Sequence, residues 1–135
     1  MRTKGFTLLE LILVIALIGV VMLAVLPRFF ELSSHAEALQ RDGLVGAVRA
    51  GIARVYAVRA CTGTPGYPET LDAPGAHACD EATPCFSAVV PMGAVDARQW
   101  IKSSDAEYIF TGHRNLRTVY VYTVTEGTFV PRETQ

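Results

Sequence analysis

The residues able to do chemistry fall into two sets. The first is one carboxylate, Glu10, the only charge between Gly5 and Pro27. It sits in a run, Phe6 to Leu26, whose other interruptions are Thr7 and Gly19. A carboxylate at the middle of a bilayer costs about 3 kcal/mol on insertion scales. Glu10 therefore either snorkels from near the end of a span or needs a partner in a later, dry state. The second set is Cys61, Cys79 and Cys85, with His77 among them. An odd number of cysteines cannot pair fully within one chain. Cys79 and Cys85 enclose five residues, Pro84 among them, which favours that pair. Cys61–Cys79 or Cys61–Cys85 would instead tie a helix end to a loop. A zinc site built from Cys61, His77, Cys79 and Cys85 matches no common ligand spacing. No nucleophile elbow, HExxH pair or phosphate loop is present. Gly46 and Gly51 have loop-like spacing but are followed by Ile52 and Ala53 rather than Lys and Ser/Thr. His35 and His113 lie far from this set, and Asp80-Glu81 reads as a solvated loop pair. No catalytic residue, metal or cofactor is implied.

These groups need elements to hold them. The chain has 135 residues, half of them apolar, and 12 basic against 13 acidic groups for a net charge of −1. That is too short for a multidomain enzyme, too apolar for a disordered chain, and without the basic surface of a nucleic-acid binder. Phe6 to Leu26 as a helix reaches about 32 Å, enough to cross a hydrocarbon core of about 30 Å. It is longer than a signal-peptide core, and Leu26-Pro27-Arg28 stands at its end in place of a small-residue cleavage site.

Beyond it, helical periodicity resumes. Leu32, Ala36 and Leu39 form one stripe; Leu44, Val48, Ile52 and Val55 form another, with charges opposite. The spacing predicts one bent helix from about Phe6 to about Ala60. Pro27 kinks it, and Gly19 is a second weak point. Alternatively the helix breaks after Pro27 and restarts at a capping box formed by Ser34 and Glu37. Phe6, Phe29, Phe30 and Tyr56 along this spine read as packing groups.

From Cys61 to Pro84, glycines and prolines predict a long loop, stapled by disulfide chemistry outside the cytoplasm. Strands come next at Glu107–Thr111, Thr118–Thr125 and Thr128–Val130. In the second of these, Tyr120 and Tyr122 share one face, Val119 and Val121 the other. The expected fold is α+β: a long N-terminal helix, membrane-spanning in its first half and amphipathic in its second, packed on a small antiparallel sheet. Trp100 is placed at the seam between them.

The N-terminal residues carry a resemblance. Arg2-Thr3-Lys4-Gly5 followed by Phe6-Thr7-Leu8-Leu9-Glu10 resembles the prepilin processing motif of type IV pilins and type II secretion pseudopilins. Residues 27–34, Pro27-Arg28-Phe29-Phe30-Glu31-Leu32-Ser33-Ser34, more narrowly resemble pilins of the mannose-sensitive haemagglutinin type. The resemblance implies cleavage between Gly5 and Phe6 and methylation of the Phe6 amine by a prepilin peptidase. The parts are then a leader (1–5), a membrane and filament-core helix (6–26), an amphipathic helix (27–60), and a loop and sheet (61–135).

It also implies that the amine of Phe6 pairs with Glu10, within a subunit or between neighbours. The partners it implies are further copies of the chain, the assembly platform with its ATPase, and the inner membrane. Arg2 and Lys4 against Arg28 place the N-terminus in the cytoplasm. From there the chain would pass to an extracellular pilus or a periplasmic pseudopilus. The role the resemblance implies is a structural subunit of the pilus. The alternatives are a pseudopilin and a membrane-anchored binding domain that never polymerises.

Overall fold

The structure, a computed structural model, describes residues 7–91, 93–94, 96–112 and 115–132; of residues 27, 29–31 and 33 only the helical backbone is described. Helix α1 runs Leu8–Cys61. Five strands succeed it: β1 His77–Ala78, β2 Trp100–Ser104, β3 Glu107–Thr111, β4 Arg117–Thr123 and β5 Thr128–Pro131. The chain divides into two compact units, Met1–Ala36 and Glu37–Gln135.

In the first unit the described residues are helical from Leu8 onward, and the side chains of Leu8–Leu26 are all exposed. The backbone is helical through both Gly19 and Pro27. The break after Pro27 with a restart at Ser34 is not found: Ser34 and Glu37 lie inside α1. Proline withdraws one donor, and strong helix formers such as Leu32, Ala36 and Glu37 on its C-terminal side carry the helix on.

In the second unit the stripe Val45, Val48 and Ile52 is buried, with Leu44 and Val55 at its margin. Leu39, from the earlier stripe, stays exposed. Gly51 lies where the helix meets the loop: a Cβ there would stand 2.3 Å from the carbonyl oxygen of Val89. α1 ends in a Schellman motif. Gly63 takes φ +83°, its N–H bonds to the Ala60 carbonyl, and the Thr64 N–H bonds to the Arg59 carbonyl. Two arginines fasten the helix to the rest of its unit: Arg49 Nε donates to the Phe129 carbonyl and Arg59 Nη1 to the Tyr67 carbonyl, each at 2.8 Å.

The sheet is an antiparallel meander in the order β1-β2-β3-β4-β5. Period-2 alternation decides its faces. Trp100, Tyr108, Phe110, Tyr120, Tyr122 and Phe129 point into the core, while Ile101 and Val130 lie exposed on the other side. Cross-strand register puts aromatics opposite one another, Trp100 with Phe110, Tyr108 with Tyr120, and Tyr122 with Phe129. Three strands are expected, and the described residues hold five. β1 interrupts the long loop by pairing His77 with Lys102 and Ala78 with Ile101.

Candidate assembly site

Glu10 is the one charged residue of the span Leu8–Leu26, and the 19 residues of that span are unburied within the chain. Its place is fixed by Thr7. The Thr7 hydroxyl accepts the Glu10 N–H at 3.3 Å, and the Thr7 carbonyl accepts the N–H groups of Glu10 and Leu11 at 3.1 and 3.2 Å. Thr7 is therefore the N-cap of α1, and Glu10 is the third residue of its first turn. There a carboxylate faces the positive end of the helix dipole. Thr7-Leu8-Leu9-Glu10 has the spacing of a capping box, the same spacing as Ser34 and Glu37, which lie inside α1. Gly5 and Phe6, the residues of the cleavage and methylation motif, lie outside the described residues.

The cysteines are placed plainly. Cys79 and Cys85 form a disulfide with Cα atoms 5.0 Å apart, both fully buried, and Cys61 is a free, exposed thiol at the end of α1. His77 Nε2 stands 3.8 Å from the Cys85 sulfur. Asp72, His77 and Cys85 bring ligand-type atoms within 4.8 Å of one another. They do not make a metal site: the Cys85 sulfur is committed to the disulfide, and Asp72 is committed to Lys102 and Tyr108.

That commitment is what sequence reasoning missed. Asp72 and Lys102 are buried, with Nζ 2.7 Å from Asp72 Oδ1. Tyr108 donates its hydroxyl to the same oxygen at 3.1 Å, and the Phe86 N–H donates to Asp72 Oδ2 at 2.9 Å. Lys102 Nζ also donates to the Ala73 carbonyl at 2.5 Å and reaches Asp105 at 3.1 Å. Burial, then the Asp72 charge, push the Tyr108 phenol far above its ordinary value, so it remains a donor. Phe86 is held at φ 63°, a costly conformation for a bulky residue, with its ring against Trp100, Tyr108 and Phe129. One signal was available: Trp100 and Lys102 share a face in a strand, so a cation belongs to the aromatic side.

Outside the core, the open cleft of about 330 Å³ along α1 is lined by Ala47, Ala50, Gly51, Arg54, Val89, Val90 and Pro91. Arg54 is its only charged group. The chain thus combines an apolar span presenting one first-turn carboxylate with a separately cored sheet domain.

The model of the prokaryotic N-terminal methylation motif matches residues 1–26. The chain is thus similar to type IV pilins over part of its length. Its α+β architecture, an apolar N-terminal helix and an open antiparallel sheet, is pilin-like as well. The chain is 36% identical over 81 residues to the type IV narrow pilus major component PilA5 of Thermus thermophilus. The match covers 60% of this chain and 58% of that relative, so the chain spans less than two thirds of the relative's length. No solved structure matches it.

Proposed function

We propose that the pilin-like chain is a structural subunit of a type IV pilus. The observation that carries this is the unburied span Leu8–Leu26, capped by Thr7, bearing Glu10 and covered by the methylation motif. Cleavage between Gly5 and Phe6 by a prepilin peptidase removes residues 1–5, and methylation follows at Phe6. The span first anchors the chain in the inner membrane, with its N-terminus in the cytoplasm. An assembly platform and its ATPase then draw it into a filament of its own copies.

Physical reasoning supports the reading. Moving the span from lipid to a filament core exchanges one apolar environment for another, so hydrophobic transfer gives little net gain. Close packing and Glu10 are left to decide the outcome. In a dry core the carboxylate needs a partner, and the Phe6 amine of a neighbouring copy supplies one. Gly19 and Pro27 provide the local give that packing of the span requires. The narrower kinship with mannose-sensitive haemagglutinin-type pilins rests on residues 27–34 alone.

Mass spectrometry of the mature N-terminus tests the reading. A chain beginning at methylated Phe6 supports it. A chain that keeps Met1 rejects it and leaves a membrane-anchored binding domain. Electron microscopy then separates long surface filaments from the short periplasmic ones of a pseudopilin.

A further inference from the structure

The buried Asp72–Lys102 contact has the parts of a bond-forming site. Nζ and the Asp72 carboxylate are in contact at 2.7 Å with both side chains shut off from solvent. The two carboxylate oxygens are differently served. Oδ2 accepts the Phe86 N–H, while Oδ1 accepts the Tyr108 hydroxyl. A second carboxylate, Asp105, touches Nζ at 3.1 Å and is itself well exposed, a path from the buried nitrogen to water. We propose that Lys102 and Asp72 condense into an intramolecular isopeptide bond.

The step balances without an oxidant or other co-reactant. The Lys102 ammonium and the Asp72 carboxylate become an amide and one water. The Nζ–Cγ bond forms and the Cγ–Oδ1 bond breaks. Oδ1 leaves with two protons, both from Nζ, and Oδ2 remains as the amide carbonyl. Asp105 relays the protons, since attack requires Nζ to give one up first. The Phe86 N–H stabilises the negative charge that develops on Oδ2, and the Tyr108 hydroxyl stabilises the departing Oδ1. Held contact of this kind is equivalent to a very high local concentration, about 10⁵ M or more in well-oriented intramolecular reactions. The dry surroundings disfavour the reverse hydrolysis. Asp105 accepts the Gly75 N–H and a bond from Lys102, and these hold its carboxyl below the ordinary range, so it enters the step ionised.

The bond closes a ring from Asp72 to Lys102 that contains the whole Cys79–Cys85 disulfide. That bond then fastens the loop before β1 to β2, and the disulfide closes a smaller loop inside the same ring. This inference concerns the sheet domain and does not depend on the assembly reading.

Intact-mass measurement of the full mature chain, extracted under non-reducing conditions, tests it. The expected mass is one water below that of the disulfide-bonded sequence, and digestion yields one branched peptide joining Asp72 to Lys102. Lys102→Arg restores the missing water. Asp105→Asn, which keeps both bonding residues, slows linkage after refolding by about a hundredfold, the order expected for loss of a proton-transfer group. Full mass in the wild-type chain, with Asp72 and Lys102 recovered on separate linear peptides, overturns the proposal. So does linkage at an unchanged rate in both Asp105→Asn and Tyr108→Phe, for the geometry would then not be what forms the bond.

Discussion

The two units of the chain treat their apolar residues in opposite ways. In Met1–Ala36, leucine, isoleucine and valine line a helix whose described side chains from Leu8 to Leu26 are exposed. In Glu37–Gln135 the buried core is built largely on aromatic groups, with Phe86, Tyr108 and Phe129 all at 1% exposure or less. The charges are reversed as well. The span shows its single carboxylate at the surface, whereas the sheet domain encloses Asp72 and Lys102. Under the proposed function the first region is completed by what surrounds it, lipid or other copies. The second completes itself with stacked rings, a disulfide and a closed hydrogen-bond network. Substitutions in the first should change assembly and leave folding alone; substitutions in the second should do the reverse.

The strongest attempt to break that contrast is Glu10→Leu. The side chain is exposed and belongs to the first unit, so the second unit, with its own core, should unfold at the same denaturant concentration. Insertion into the membrane should improve, because a charge has been removed from the span. Filaments should be lost outright. Membrane fractionation beside electron microscopy of the cell surface gives both readouts, and filaments at the normal number and length would end the role assigned to Glu10.

Within the sheet domain, Asp72→Ala should have the largest effect on stability. It removes the buried carboxylate from the Lys102 ammonium, leaving the exposed Asp105 as its charged partner, and removes the acceptor of the strained Phe86 N–H. Breaking a buried pair from one side costs about 3–5 kcal/mol. Gly51→Ala should cost less, about 1–3 kcal/mol, as the new methyl pushes α1 away from the Val89 carbonyl. Gly46→Ala, where a Cβ meets nothing within 4 Å, should instead stabilise by about 0.5–1 kcal/mol. Urea unfolding of the full chain in detergent ranks the three. Equal effects at Gly51 and Gly46 would mean that the close approach to Val89 is not there.

The same contrast explains how much the sequence alone reveals. The span announces itself because length and composition are enough. β3, β4 and β5 show through because Tyr108, Phe110, Tyr120, Tyr122 and Phe129 alternate with outward residues. β2 stays hidden because its buried face is shared by Trp100 and Lys102, and a lysine reads as surface. β1 has two residues and no pattern of its own; it exists because the loop is held against β2. Asp72 falls among prolines and glycines, where a carboxylate reads as a turn residue, and its partner is 30 positions away. Local spacing cannot reveal a pair brought together only when the loop before β1 folds against β2.

The smallest predicted effect concerns acid. Asp80 accepts the Thr83 N–H at 2.8 Å and the Thr83 hydroxyl at 3.0 Å, and also the Ala82 N–H. These bonds, the Thr83 N–H foremost, hold its carboxyl below the ordinary value of 3.8. A carboxyl whose value is lower folded than unfolded binds fewer protons in the native state. Its contribution is therefore whole above 3.8 and disappears as pH falls through the lower, folded value. Thr83→Ala keeps the backbone bond and deletes the hydroxyl. The urea midpoint of this variant should sit slightly below wild type at about pH 6, and the gap should shrink as pH falls through the folded value of Asp80. Because Asp80 lies on the exposed turn after β1, a gap that persists undiminished in acid would place the Thr83 hydroxyl's contribution in its other bond, to the Ala78 carbonyl.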